Sequence, residues 1–547
     1  MAAPNQNQGN SFFDPKTLFA IALVGIVWIG WQSYLHKKYP EAYKPKATEQ
    51  SVATGVEKAS EVPDEGKAAS SADVGEPVLT TTSGSDAQFT ETTVVHEDDI
   101  WKLELSSKGM GFKSAALKNF RDRQGQHISF LGQAGYLPFE TNLVGRHSPL
   151  EFKITRDSDG VYVGLAQANG YQIQKKIILD STHYSFNVEI AVSSISGDFS
   201  GLVQVMTMPL EKIDSSFLMP AVNQQEVFAA HGSTTSREYL QVDTAYRGAF
   251  AQTHLAALSG HYFSLAMINR AEILPELSAA VDPATKAAIA KLSYPVINRA
   301  SEYNIKYTAF MGPKDLDILK KVDPQMTASV DFGWFSWLAI VLFDILRWLY
   351  SLVHNYGIAI ILLTLLVRMV VLPFNLMSYR SMKAMQVIQP EIKALREKYK
   401  DDQAKLNSEM MAFMKEHKVN PLGGCLPMLL QFPIFIALYR VFGQSIDLYQ
   451  APFGWWIHDL SLKDPYYILP VVMGVVFFFQ TKLTPSTMEP AQQKVMMFMP
   501  ILFSFFMAGL PSALTLYMCV STIFGFVQQT YVMRDRKVSA SMTQAKA

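Results

Sequence analysis

The sequence predicts a membrane α-helical bundle joined to an all-β sandwich domain. Residues 332–533 are dominated by long apolar runs, whereas residues 40–330 have the composition of a soluble protein. Within residues 40–330, the chain from about Phe89 to Gly312 alternates polar and apolar residues with period two, which is typical of half-buried strands. A separate apolar run from Leu18 to Trp31 predicts an N-terminal anchor helix.

The N-terminal segment predicts an uncleaved anchor followed by a tether. Only Lys16 precedes the apolar run and no small-residue cleavage site follows it, which is unlike a cleaved signal peptide. Residues 40–90 are rich in Lys, Ala, Thr, Ser, Glu and Gly, a composition that cannot bury enough surface to fold. We therefore assign 1–36 to the tail and anchor, and 37–88 to a flexible tether.

The predicted sandwich domain covers residues 89–325. The segment from His183 to Val192 alternates almost perfectly, as a half-buried strand does. Arg156 to Gly160 predicts a hairpin turn between two short strands. Many short strands without intervening helices favour a β-sandwich. The expected helical interruption is Leu274–Leu292.

The second half predicts five membrane spans behind a surface helix. Residues 333–353 are apolar and aromatic, but Asp344, Arg347 and Ser351 fall on one stripe at helical spacing. We interpret this segment as an amphipathic helix in the membrane interface, although its length also permits spanning. The five-span core, residues 357–533, has predicted spans at 357–377, 422–443, 466–481, 495–510 and 512–532.

Arg368 is a single charge near the middle of the apolar run Gly357–Met377. A charge at the bilayer centre costs about 2.5–3.5 kcal/mol on insertion scales. The five predicted spans contain no Asp, Glu or His, so neither a salt bridge within the membrane nor a proton relay is expected. Arg368 therefore predicts a polar cavity that receives something negative or polar.

Basic residues in the loops predict the orientation. The loop 378–418 is rich in Lys and Arg, whereas the loop 444–465 contains only Lys463, and the tail 534–547 is again basic. Positive charge accumulates on the cytoplasmic side, which places this loop and both termini inside and the β domain outside. Four lysines on the supposed outer side of the first span oppose this assignment, namely Lys37, Lys38, Lys44 and Lys46. The later loops agree with one another, and together they outweigh these four residues.

The basic loop 378–418 predicts a helical hairpin. Apolar residues recur at three- and four-residue spacing on both sides of Asp401-Asp402, which indicates two antiparallel helices standing off the membrane. Two interpretations remain open: a solvated connector between two spans, or a docking arm for a cytoplasmic partner. The candidate docking residues are Lys393, Arg396 and Lys398.

Four long segments carry a family resemblance. They are VRMVVLP at Val367–Pro373, QPEIKALREKY at Gln389–Tyr399, NPLGGCLPMLLQFPIFIALY at Asn420–Tyr439 and APFGWWIHDLSLKDPYYILPVVMG at Ala451–Gly474. Together they resemble the YidC family of membrane protein insertases. The core at about 333–533 resembles the whole family, and the anchor with the β domain resembles the Gram-negative type with a large periplasmic domain.

The resemblance implies a non-enzymatic insertase of the bacterial inner membrane, with no cofactor or metal. It implies a hydrophilic groove within the membrane, where Arg368 attracts polar or acidic client segments before the client helix enters lipid. Thr364, one helical turn before Arg368, is expected in the groove. Gln431 is expected there as well. The family has a functional aromatic residue near Tyr517-Met518, so Tyr517 is also expected in the groove. Gln431 alternatively makes only a hydrogen bond between helices, worth about 0.6 kcal/mol.

Methionines offer an adaptable apolar surface for varied client helices, and the alternative for each is ordinary packing. The candidates for this client slide are Met428, Met473, Met496 and Met499.

The implied partners are nascent membrane proteins, the lipid bilayer, the Sec translocon and, through the hairpin and tail, the ribosome. The formal net charge of zero argues against a nucleic-acid partner held by bulk electrostatics. No serine-protease, paired-metal-ligand or P-loop motif occurs, so no enzyme is predicted. The alternative function is that of a periplasmic binding or chaperone protein acting mainly through its β-sandwich domain.

Overall fold

A computed structural model describes residues 91–534, with gaps at 146–148, 169, 194–198, 213–223, 233, 297–301, 401, 418–425 and 485–489. The predicted anchor, the tether and the tail beyond residue 534 lie outside the described residues. The described chain forms eighteen strands followed by eight α-helices, with short 3₁₀ turns between some of them.

The strands occupy the first part of the described chain. They are β1 Thr93–Glu97, β2 Trp101–Ser106, β3 Phe112–Arg121, β4 His127–Leu131, β5 Glu140–Leu143, β6 Lys153–Ser158, β7 Val161–Ala168, β8 Tyr171–Asp180, β9 Ser185–Ser193, β10 Leu202–Pro209, β11 Gln225–His231, β12 Thr234–Leu240, β13 Tyr246–Phe250, β14 Leu255–Ser259, β15 Phe263–Asn269, β16 Glu276–Asp282, β17 Ala287–Tyr294 and β18 Glu302–Pro313.

The strands form three antiparallel sheets. Their strand orders are β1-β2-β3-β4, β13-β16-β17-β10-β5 and β12-β11-β14-β15-β18-β9-β8-β7-β6. The five- and nine-stranded sheets face each other across the core, where Tyr307 Oη on β18 donates to Gln204 Oε1 on β10 at 2.9 Å. The predicted all-β domain is therefore confirmed.

The predicted helix at Leu274–Leu292 is wrong, because β16 and β17 form a hairpin there. Its alanine-rich composition favours helix locally, yet buried and partly exposed residues alternate along β16 with period two. The Asp282 carboxylate accepts hydrogen bonds from Ala284 N at 3.0 Å and Thr285 Oγ1 at 2.8 Å, which stabilise the turn. Sheet pairing thus overrides helix propensity. The predicted turn at Arg156–Gly160 does join two strands, β6 and β7.

The helices follow the β domain. They are α1 Leu316–Val322, α2 Ser336–Val353, α3 Tyr356–Lys398, α4 Gln403–Glu416, α5 Leu426–Gln444, α6 Ile468–Leu483, α7 Pro490–Met507 and α8 Ser512–Arg534.

Helix α3 is continuous for 43 residues. The sequence predicts a span ending near residue 377 and a separate first arm of the hairpin, and the structure joins the two in one helix. Pro373 and Pro390 lie inside it without ending it. Helix α4 supplies the second arm, and Ile388 and Ile392 of α3 form a small apolar cluster with Met414 of α4.

Two helical stretches of the described chain have the length and apolarity to cross a membrane, Gly333–Val353 and Tyr356–Lys398. Ile468–Leu483 and Val495–Met507 are apolar but shorter. The five-span count, and the interfacial position of α2, therefore remain predictions.

The β domain is connected directly to the helices. The turn between β14 and β15 carries His261, whose Nε2–H donates to Gly443 O near the end of α5. Tyr449, in the loop after α5, donates from Oη to Arg121 O of β3 at 2.8 Å. Burial at this junction lowers the pKa of His261 to about 4.

The lowered pKa predicts a pH-dependent stability. Unfolded chains protonate His261 near its ordinary pKa of about 6.5, so they bind more protons than the folded chain between pH 6.5 and 4. Stability therefore falls as the pH is lowered through this window. A loss of about 1 kcal/mol would lower the melting temperature of the full-length protein in detergent by about 2–4 °C.

The control is His261→Gln, which retains a donor without titrating. We expect its melting temperature to fall less than that of the parent between pH 6.5 and 4. Equal losses in the two proteins would contradict the role of His261.

Candidate functional site

Arg368 lies on α3 and is half-buried against α8. Its Nε donates to the Ser521 hydroxyl at 2.8 Å, and its Nη2 donates to the same oxygen. Ser521 is almost fully buried. These hydrogen bonds run to a neutral hydroxyl, and among the described residues no carboxylate forms an ion pair with Arg368 within 4.0 Å. A desolvated charge of this kind favours a polar or anionic neighbour.

The contact continues along both helices toward their C-terminal ends. Tyr379 Oη donates to Gly525 O at 3.2 Å, and Lys383 Nζ donates to Val532 O at 3.4 Å. Because partner numbers increase together along α3 and α8, the two helices run parallel. We call this line of contacts the polar seam, formed by Arg368, Tyr379, Lys383, Ser521, Gly525 and Val532.

Gly525 leaves space inside the polar seam. A Cβ atom there would lie 3.5 Å from Gln480 Nε2 of α6, 3.7 Å from Arg368 Nη1 and 3.7 Å from Tyr379 Oη. Polar groups of three helices therefore surround the missing side chain. The glycine brings α8 close to Arg368 and leaves room for one added carbon at ordinary contact distances.

Two amides add polarity beside the seam. Both polar side-chain atoms of Asn375 and of Gln528 are buried without a hydrogen-bond partner in the described chain. Asn375 lies one turn before Tyr379 on α3, and Gln528 lies about one turn after Gly525 on α8. Buried amides of this kind bind water when protein partners are lacking. The two amides therefore add buried polar atoms without protein partners to the surroundings of the seam.

The other predicted groove residues form a separate contact. Gln431 Nε2 on α5 donates to Tyr517 Oη on α8 at 2.8 Å, and the Tyr517 side chain is fully buried. This is the helix-to-helix hydrogen bond given above as the alternative for Gln431. Thr364 is also fully buried, and its hydroxyl donates to Ile360 O at 2.6 Å within α3. Tyr517 lies one turn before Ser521, so the bond adjoins the seam.

The methionines of the predicted slide are divided between core and surface. Met496 and Met499 on α7 are 43% and 45% exposed, whereas Met473 on α6 is fully buried. The side chain of Met428 lies outside the described residues. Met473 therefore packs in the core. Of the predicted slide residues whose side chains are described, Met496 and Met499 lie on the exposed surface of α7.

The basic residues of the hairpin differ in their surroundings. Lys393 and Lys398 are exposed near the end of α3, and Lys398 Nζ lies 5.3 Å from the centre of the Tyr399 ring. Arg396 is partly buried and engaged in a contact. The docking role of these residues stays a prediction.

Sequence reasoning missed most of the polar seam. Ser521 and Gly525 follow Tyr517 at intervals of four residues, and Asn375 and Tyr379 have the same interval on α3. That spacing puts each set on one helical face. The spacing therefore indicates a polar face on each helix, although it does not reveal that the two faces are in contact.

Two family models match the chain. Residues 93–345 match the YidC periplasmic domain, and residues 348–540 match the 60Kd inner membrane protein. The membrane protein insertase YidC of Syntrophus aciditrophicus (strain SB) is 31% identical, over 95% of this chain and 100% of its own length. The chain belongs to the YidC family of membrane protein insertases.

Other similarities cover different shares of the chain. The membrane protein insertase YidC of Geotalea uraniireducens (strain Rf4) is 48% identical over 44% of this chain and 45% of its own. A crystal structure described as an active YidC insertase with its first transmembrane domain resolved is 20% identical. It covers 80% of this chain and 92% of its own, with a TM-score of 0.38.

Membership in the YidC family confirms several predictions. The protein is a non-enzymatic membrane protein insertase of the bacterial inner membrane, and its large periplasmic domain fits the Gram-negative type. Insertase activity implies nascent membrane proteins as substrates and contact with lipid.

The close packing around Gly525 predicts that the insertion rate depends on the size of the side chain at this position. Gly525→Ala adds one carbon at ordinary contact distances, so we expect insertion of a single-span client into proteoliposomes to continue near the parent rate. Gly525→Leu adds three further carbons that displace Arg368 or Tyr379. A cost of 1–3 kcal/mol is typical of overpacking, and we expect insertion to fall about tenfold.

Gly525→Ala is the matched control, and the melting temperature of both variants would be measured to detect misfolding. A well-folded Gly525→Leu that inserts as fast as the parent would show that the seam is not used.

Proposed function

We propose that the protein inserts clients by receiving their translocated polar segment in a groove lined by the polar seam, and then releasing their apolar helix sideways into lipid. The observation that carries this proposal is the Arg368 guanidinium, which is held by Ser521 between apolar helices and has no carboxylate partner in the described part of the chain. Such a cation attracts the acidic or polar part of a client.

The physical benefit is a lower barrier to crossing. Each unsatisfied backbone group costs several kcal/mol in hydrocarbon. A polar wall within the bilayer shortens the dry path that a client segment must cross. Helix α6 adds to this effect, because its 16 residues span only about 24 Å against a hydrocarbon core of about 30 Å. This mismatch favours local thinning of the bilayer.

Each candidate residue has a distinct role in the proposal. Arg368 attracts the client, and Thr364, which is buried one turn away, packs behind it on α3. The Gln431–Tyr517 bond holds α5 against α8 beside the seam. Met496 and Met499, which are exposed on α7, are the proposed contacts for the apolar helix of the client.

The orientation and further partners also belong to the proposal. Both termini are cytoplasmic, the β domain is periplasmic, and the hairpin 378–418 extends into the cytoplasm. The exposed side chains of Lys393 and Lys398 support electrostatic docking of a ribosome there. With larger clients the protein assists the Sec translocon.

The groove mechanism predicts a charge-dependent effect of mutation. For a single-span client with an acidic translocated tail, Arg368→Lys retains most activity in liposomes because the charge remains. Arg368→Glu repels the tail, and we expect at least about a tenfold lower insertion rate, equivalent to about 1.4 kcal/mol. A client with a neutral tail serves as the matched control and should be affected less.

Equal insertion of the acidic client by the parent, Arg368→Ala and Arg368→Glu would refute the groove mechanism. A loss of the same size with both clients would instead indicate a structural role for the Arg368–Ser521 contact.

Deletion of residues 60–325 distinguishes insertion by the helices from an activity of the β domain. Since the polar seam lies wholly within α3 and α8, we expect the shortened protein to retain most of its insertion rate with a small client. Complete loss in a stably assembled protein would favour the periplasmic binding or chaperone function.

A further inference from the structure

A crevice of about 1330 Å³ lies between α6 and α7, away from the polar seam. Its walls are almost wholly apolar and include Val471, Val475 and Phe479 of α6 and Leu502 and Phe505 of α7. The lining residues on both helices are largely exposed in the protein alone. A surface of this kind in a membrane protein requires an apolar occupant.

The floor of the crevice is closed, and the hydroxyl that lies there already donates a hydrogen bond within the protein. A Cβ atom on Gly474 would lie 2.8 Å from Ser504 Oγ and 2.9 Å from Ser504 Cβ, so the two helices approach closely there. The Ser504 hydroxyl donates to Pro470 O of the neighbouring helix. The depth of the crevice therefore favours an apolar ligand over one that needs a hydrogen-bond donor.

The length of the crevice distinguishes between apolar occupants. Its lining runs from Tyr467, the residue just before α6, to Phe479 within α6, which corresponds to about 18 Å along the helix axis. One leaflet provides about half of a hydrocarbon core of about 30 Å, whereas a client helix must span all of it. The crevice therefore matches an acyl chain in a single leaflet better than a transmembrane helix.

The mouth of the crevice carries a positive charge. Lys463 and Tyr467 line this end, near the turn between α7 and α8. The turn is fixed to the same loop, since Ser512 N donates to Leu462 O at 2.6 Å. Among the described residues Lys463 forms no ion pair within 4.0 Å. The adjacent Asp464 carboxylate accepts from Leu469 N at 2.8 Å, so it is engaged at the start of α6.

We propose that the crevice binds one glycerophospholipid of the leaflet on the β-domain side, with an acyl chain between α6 and α7 and the phosphate at Lys463. The lipid fills a surface that is separate from the client groove. It thereby supports the packing of the short helix α6 against α7 at the place where the bilayer is thinned.

The test measures phospholipid retained by the full-length protein after release from phosphatidylglycerol vesicles, by native mass spectrometry. We expect the parent to retain one phospholipid and Lys463→Gln to lower its occupancy about five-fold, as for loss of one lysine near a phosphate. Val475→Trp fills the crevice and should remove the lipid. Val472→Trp, on the same helix but outside the lining, is the matched control and should retain it.

A photoreactive residue at position 475 identifies the occupant. An adduct with phospholipid supports the proposal, whereas an adduct with a client helix that excludes lipid would overturn it. Equal lipid retention by the parent, Lys463→Gln and Val475→Trp would also overturn it. Client insertion, measured in parallel, keeps this result separate from the groove mechanism, because these variants do not alter the polar seam.

Discussion

The contact between Arg368 and Ser521 is the interaction on which the arrangement of the helices depends. A guanidinium within an apolar bundle is tolerated only where another helix supplies polar atoms. Helix α8 supplies them because it runs parallel to α3 and approaches it closely at Gly525. Its starting point is fixed in turn by the loop before α6, since Ser512 N donates to Leu462 O and Ala513 N to Leu460 O. The hydrogen bonds between this loop and the start of α8 thus help to align the polar faces of α3 and α8, which are distant in sequence.

The β-domain side of the bundle is held by a different set of contacts. Arg440 of α5 lies 3.8 Å from Asp331, which also lies 3.5 Å from Arg237 of β12. Next to them Glu226 and Lys314 form a buried pair at 4.0 Å, and burial raises the pKa of Glu226 and lowers that of Lys314. Buried charges of this kind fix geometry more than they add stability. Asp331, which pairs with both Arg237 and Arg440, attaches the β domain to α5, while the polar seam lies on α3 and α8.

The candidate site could be predicted only in part. Arg368 was identifiable because its cost within an apolar run is independent of the fold. Tyr517 and Gln431 were named, but their mutual hydrogen bond required knowledge of which helix faces which. Met473 illustrates the same limit, since a methionine in a span can lie in the core or on the surface. The helix predicted at Leu274–Leu292 is wrong because the structure of an alanine-rich segment depends on the strands that pack beside it. Here the segment forms an antiparallel hairpin.

The sequence by itself determined the division into an all-β domain and an apolar helical region, because period-two alternation and long apolar runs are local properties. It also determined that a charge lies inside the apolar region. Only the tertiary structure decided that α3 continues unbroken into the hairpin, and that Ser521 and Gly525 meet Arg368. These contacts join residues about 150 positions apart, and their formation depends on the packing of whole helices, which no local pattern encodes.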